Sequence, residues 1–358
     1  MKKYFFVILL IALTFQVLLA NSYIYKFDNF SNFHNIIVDD FNNIYLGNLQ
    51  NQIIKINPKN KIEWIYDSPG QILQIYPVNS KIAFTTMDNK LIYLNADGTL
   101  YTMKNFNLNT PPILFSKLNN DTLLMLMNNL IYSVKLKNKQ IIFNILSQNF
   151  LSRLPYNNTH KIIDNSLYLA IKDNFGIHKI IYKNNTLSHE LIERGSIKNE
   201  HLGFGFPIFY ENNVIFAIEE KLYSKNLKNN HTNFIFNIFN IYDDFKDFKP
   251  YINSNIVVYD KEIFFTTSYN DLVILDIFGN LKKTIKLNYS AYQYKIHIRN
   301  GEAYILSQNK YSGKLLIFDI NNNKVEELLE LNDGTLDFNI INDNIYVLSY
   351  YGLYKIIL

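Results

Sequence analysis

The side chains that could do chemistry in this chain are carboxylates, histidines and aromatics, because it contains no cysteine. That excludes disulfides, thiolate metal sites, cysteine nucleophiles and a lipid-modified N-terminal Cys together. The seven histidines, His34, His160, His178, His189, His201, His231 and His297, read as belonging to different repeats and form no i,i+2 or i,i+4 pair. A ligand set normally shows one short-range pair, so no metal site is assigned, the alternative being a set assembled from several repeats at a central channel. Carboxylates pair at Asp39-Asp40 and Asp243-Asp244. Glycoside hydrolysis needs two carboxyls held apart across the sugar. Neighbours in a strand point to opposite faces, so neither doublet supplies that pair and no catalytic residue is assigned.

Two aromatic loops are the binding candidates. His201-Leu202-Gly203-Phe204-Gly205-Phe206-Pro207 interleaves glycines with aromatics, but it lacks the Lys-Ser/Thr of a phosphate loop and no helix follows it. It reads as a loop entering an inner strand, with Phe204 and Phe206 as candidate contacts. Asp243-Asp244-Phe245-Lys246-Asp247-Phe248-Lys249-Pro250-Tyr251 sets three aromatics among charges. Phe245, Phe248 and Tyr251 suit a binding loop, and a connector folded over the rim is the plainer reading.

The elements that must carry these loops repeat. A short β-rich core recurs at Ile44-Tyr45-Leu46, Ile82-Ala83-Phe84, Leu123-Leu124-Met125, Leu167-Tyr168-Leu169, Val214-Ile215-Phe216, Ile263-Phe264-Phe265, Ala303-Tyr304-Ile305 and Ile345-Tyr346-Val347, at spacings of 38, 41, 44, 47, 49, 40 and 42 residues. Polar turns precede the cores and a second apolar strand follows, with Asn, Asp and Gly supplying the positive φ that tight hairpins need. The stretch Phe234 to Tyr242 alternates apolar residues with Asn and reads as an outer strand. No helical periodicity is apparent beyond residue 22. The spacing predicts an all-β protein, a β-propeller of eight four-stranded blades, with a seven-bladed ring or an open stack as alternatives. The last core has one strand after it, so Tyr23-Ile24-Tyr25-Lys26-Phe27 is expected to supply the missing strand and close the ring.

Lys2 and Lys3 precede an apolar run from Tyr4 to Ala20. This is the pattern of an export signal cleaved after Ala20, with an uncleaved anchor as the alternative. Residues 1–20 are therefore read as signal and 21–358 as a single domain, periplasmic or extracellular. Lys+Arg 35 against Asp+Glu 31, with the lysines scattered singly, gives no basic stripe and no expectation of nucleic-acid binding.

Two segments carry a family likeness. Lys90-Leu91-Ile92-Tyr93-Leu94-Asn95-Ala96-Asp97-Gly98-Thr99 and Gln52-Ile53-Ile54-Lys55-Ile56-Asn57-Pro58-Lys59-Asn60-Lys61-Ile62-Glu63-Trp64 resemble the quinoprotein-type (PQQ-like) propeller repeat: strand, Asp-Gly turn, and strand leading to a Trp. The resemblance spreads over residues 36–358 and implies a propeller. It covers both quinone-dependent dehydrogenases and non-catalytic scaffolds such as the propeller component of the outer-membrane barrel-assembly machinery. With no Cys pair and a single Trp, Trp64, the chain is more similar to the scaffold branch. The expectation is a non-enzymatic envelope scaffold with a protein or peptide partner and no cofactor. An enzyme acting in the channel (a lyase, glycosidase or quinoprotein-like dehydrogenase) and a tethered ligand-binding sensor ectodomain are the alternatives.

Overall fold

In a computed structural model the chain is described at residues 23–27, 36–47, 51–128, 130–147, 158–163, 166–173, 176–183, 186–194, 207–218, 220–229, 231–242 and 249–357. The strands among these residues fall into eight antiparallel sheets of four. Seven are meanders of consecutive strands, spanning 37–67 (sheet 1), 72–105, 113–147, 158–194, 208–237, 257–286 and 293–331 (sheet 7). Sheet 8 takes three strands from residues 337–357 and its fourth, outermost strand, Tyr23–Lys26, from the start of the chain.

Each of the eight apolar cores is the second strand of a sheet. Such a strand is covered on both faces, so its residues are apolar without alternation. Ile263 and Phe265 pack toward sheet 5 while Phe264 packs toward sheet 7. Ala303 and Ile305 face sheet 6, and Tyr304 and Leu306 face sheet 8. The succession continues from the last sheet to the first, where Tyr346, Leu348 and Leu353 share a core with Ile44, Leu46, Ile54 and Ile56. Burying one such Leu or Ile contributes about 1.5–3 kcal/mol, so sheets 6, 7, 8, 1 and 2, whose shared cores are described on both sides, each depend on both neighbours.

Turn chemistry fixes the hairpins. Asn79-Ser80, Asp260-Lys261 and Asn342-Asp343 hold positive φ at both central positions, the requirement of a type I′ turn. Asp276 closes the third-to-fourth turn of sheet 6 by accepting the N–H groups of Phe278 and Asn280, each at 2.9 Å. In any meander the second-to-third turn and the connector to the next sheet leave from one end, here the connector end. The first-to-second and third-to-fourth turns leave from the other, the turn end. Short connectors such as 68–71 join like ends, so the orientation passes from sheet to sheet.

One expected strand is cut short. The outer strand of sheet 5 stops at Asn237 and Ile238–Ile241 form a 3-10 turn instead. The Asn237 side chain accepts the Phe239 N–H at 3.0 Å, a cap that competes with the ladder.

Candidate functional site

Of the candidate contacts, Phe204, Phe206, Phe245 and Phe248 lie outside the described residues, as does the segment 1–22. Tyr251 is described. It sits on the connector from sheet 5 to sheet 6, half-buried, and its backbone exchanges hydrogen bonds with Ser268 in the second-to-third turn of sheet 6. Its N–H donates to Ser268 Oγ at 3.1 Å and its carbonyl accepts the Ser268 N–H at 2.8 Å.

Tyrosines gather around it at the connector end. The Tyr242 hydroxyl donates to Asp271 at 2.6 Å and meets Thr267 Oγ1 at 2.7 Å, while its ring stands edge-on to Tyr269 with centroids 4.8 Å apart. Burial and then the Asp271 carboxylate push its pKa up, so it remains a neutral donor. Burial likewise raises Tyr251, with a further contribution from the nearby Tyr292. Lys286 lies 3.4 Å from Asp271 and donates to the Tyr269 carbonyl at 2.6 Å. On the next connector Tyr289 hydrogen-bonds Ser312, and Tyr294 reaches Asn270 at 3.1 Å. Beyond these anchored rings, Tyr292 and Tyr311 are 70% and 74% exposed. The result is a rigid base of hydrogen-bonded tyrosines with two rings presented outward.

This cluster was missed from the sequence except for Tyr251. A signal existed: Tyr269 and Tyr351 each follow the start of a core, Ile263 and Ile345, by six positions, which places both in second-to-third turns.

The carboxylate and histidine readings change in detail. Asp39-Asp40 occupy a turn, not a strand. Asp39 accepts the N–H groups of Phe41 and Asn43, the Asn43 amide and the Tyr45 hydroxyl at 2.8–2.9 Å, so its lone pairs are committed to the hairpin. Asp40 projects outward, 3.9 Å from Lys117. Asp243-Asp244 lie outside the described residues. The histidines are not all in different repeats: His160, His178 and His189 fall in sheet 4. His160 and His189 end one cross-strand row, paired through Leu169 and Ile180, three strand spacings or about 14 Å apart along the backbone. Among the described residues no three His, Asp or Glu side chains group to hold a metal.

The two segments that carried the family likeness meet. Trp64, on the outer strand of sheet 1, donates its indole N–H to the Ala96 carbonyl of the sheet 2 turn at 2.8 Å. Gly98, at φ 85°, lies so close under it that a Cβ there would be 2.6 Å from the ring. Lys55, buried, joins the contact through the same carbonyl at 3.2 Å and through Glu63 at 2.7 Å.

Sheets stacked face to face in chain order, with terminal strands in one sheet, define the β-propeller class. Comparison with solved structures agrees: the crystal structure of BamB from Moraxella catarrhalis superposes with a TM-score of 0.63 at 12% identity, covering 94% of this chain and 99% of that one. Saccharomyces cerevisiae Sqt1 gives 0.64 at 11% identity over 94% and 97% of the two chains. The WD40 domain of SCAP from fission yeast gives 0.58 at 8% identity, again over 94% and 97%. At these identities the likeness is one of fold. No protein-family model matches the sequence, and no curated protein matches it.

Proposed function

We propose that the chain is an exported, non-enzymatic β-propeller that binds a protein partner in the cell envelope through its connector end. In this reading residues 1–20 are the export signal and 21–358 one domain. The eight sheets are the blades of a closed ring of quinoprotein type, sealed by Tyr23–Lys26. Three observations support the architecture: the shared core of sheets 8 and 1, the Tyr23–Lys26 pairing and the docking of Trp64 on the Gly98 turn.

The observation that carries the function is the tyrosine cluster. Tyrosine buries a large apolar ring at low entropic cost and keeps a polar handle, which is why it is enriched in the energetic centres of protein interfaces. Tyr292 and Tyr311 stand exposed above a base already ordered by Asp271, Ser268 and Asn270. Binding there orders few further side chains.

A photo-crosslinking residue placed at Tyr251, Tyr292 or Tyr311 of the full chain in its own cells tests the reading. The same discrete protein adduct is expected from all three positions, and a second substitution, Tyr292→Ser, weakens the adduct formed at Tyr311. No protein adduct at any position, or the same adduct in equal yield from a control position at Phe278 in the third-to-fourth turn of sheet 6, contradicts it.

A further inference from the structure

The fourth strand of each sheet leaves one row of backbone N–H and C=O groups open, and charged side chains usually guard such an edge against further pairing. Six of the eight fourth strands carry at least one charge, as at Glu63, Lys104, Lys283 and Glu326. That of sheet 5, Thr232–Asn237, carries none but is short and ends at the Asn237 cap. That of sheet 3, Gln140–Ser147, carries neither charge nor proline over eight residues. It pairs only with the third strand, Leu130–Lys137, so its outer row is open.

The two faces of this edge differ in chemistry. Gln140, Ile142 and Asn144 lie on one, where Lys137 stands opposite Gln140 and Lys135 opposite Ile142. Both lysines are exposed, as is Lys139 in the turn between the strands, and none of the three ammonium groups has an ion-pair partner among the described residues. Sheet 3 as a whole holds four lysines against a single carboxylate, Asp121. On the other face Ile141 and Phe143 pack on the core shared with sheet 2, and Ile145, 56% exposed, extends that apolar row.

We infer that the edge of sheet 3 takes up a protein segment by strand addition, an extended stretch alternating acidic and apolar residues. Its backbone completes the open row, its acids face Lys135 and Lys137, and its apolar residues cover Ile141, Phe143 and Ile145. An added residue opposite Ile142 lies two strand spacings, or about 10 Å, from Lys135, a gap that a lysine and a glutamate side chain span together. Charge selects this occupant over a second copy of the chain, because two sheet 3 edges brought together would set lysines against lysines. The surface is the edge of a sheet rather than the connector end, and it does not rest on the tyrosine reading.

The full chain is titrated with two fluorescein-labelled peptides of about eight residues, one alternating Val with Glu and the other Val with Lys, and binding is read by anisotropy. The acidic peptide is expected to bind about tenfold more tightly than the basic one and to slow backbone amide exchange within 140–147. The double variant Lys135→Glu, Lys137→Glu changes two exposed side chains, so its β-fold, checked by circular dichroism, is retained, and the preference reverses. No binding of the acidic peptide, equal binding of the two peptides, or protection confined to other strands overturns the inference. So does a chain that light scattering shows to be dimeric with 140–147 already protected, since a second copy would then hold the edge. The connector end takes no part in this readout, so its outcome is separable from that of the crosslinking experiment.

Discussion

Gly352 lies directly beneath Tyr23: a Cβ built on the glycine would come within 2.6 Å of the tyrosine ring, although 329 positions separate the two in sequence (352 less 23). The Tyr23 ring continues onto Tyr354, centroids 4.0 Å apart, and both hydroxyls donate to one oxygen of Asp333, at 2.7 and 3.2 Å. Burial, together with the acceptor carboxylate, pushes both phenols up and keeps them protonated donors. The start of the chain is thus built into its last sheet by packing and by hydrogen bonds.

Gly352→Ala is expected to destabilise the whole domain by about 1–3 kcal/mol, the usual cost of overpacking a close contact. Thermal unfolding by circular dichroism gives the value, and an unchanged melting temperature means Tyr23 does not sit where described.

Asp337 joins three sheets in succession. On the first strand of sheet 8 and buried, it accepts the Ile36 N–H ahead of sheet 1 at 2.8 Å and the ammonium of Lys295 from sheet 7. Lys295 is more than a third exposed and keeps the Phe338 carbonyl as a partner, so the main cost of Asp337→Ala is the Ile36 N–H left without its acceptor, about 1–3 kcal/mol. Chemical denaturation measures it, and a loss no larger than that of a surface Asp→Ala control contradicts the linkage.

Gly98→Ala should disturb the contact between sheets 1 and 2, because both the positive φ and the Trp64 ring resist a side chain. Trp64 is the chain's single tryptophan, so its fluorescence reports this contact alone. A red-shifted emission in the folded variant is expected, and an unaltered spectrum with unaltered stability counts against the packing.

How far the sequence could be read depended on how completely each element is buried. Second strands such as Ile82–Phe84 and Ile263–Phe265 are covered on both faces and stand out as apolar triplets. First strands such as Ile37–Val38 and Val257–Tyr259 are short, half-buried and hard to distinguish from connector. The end of the outer strand at Asn237 depended on a side-chain cap that alternation does not show. The site was legible at Tyr251 only. Tyr242 closes the stretch that reads as an outer strand, Tyr269 is marked only by its distance from the Ile263 core and Tyr292 belongs to no motif; the three come to one end only when connectors and turns converge there, which is a property of topology.

Acid should loosen the first pair of sheets. The hydrogen bond from Lys55 holds Glu63 below its ordinary 4.5, with burial opposing in part. The folded state then binds fewer protons than the unfolded one, so the contribution is present above 4.5 and is lost as pH falls through the lower folded value. Asp276 and Asp319, lowered by their own turns, act in the same direction. Melting temperatures taken from about pH 6 to about pH 3 should fall less steeply for Glu63→Gln than for the parent, and parallel curves contradict the assignment.

Everything at either end of the ring presupposes that the ring is closed by its own N-terminus. Tyr23 and Tyr354 are direct cross-strand partners in a chain with no native thiol, so the double variant Tyr23→Cys, Tyr354→Cys can form only one bridge, at a separation that disulfide geometry accepts. Air oxidation of the folded variant should give a monomeric cross-linked chain that migrates faster on a non-reducing gel and melts higher than its reduced form. Two thiols that stay free and reactive under native conditions, or that bridge only between molecules, would show that the last sheet is not completed by residues 23–26.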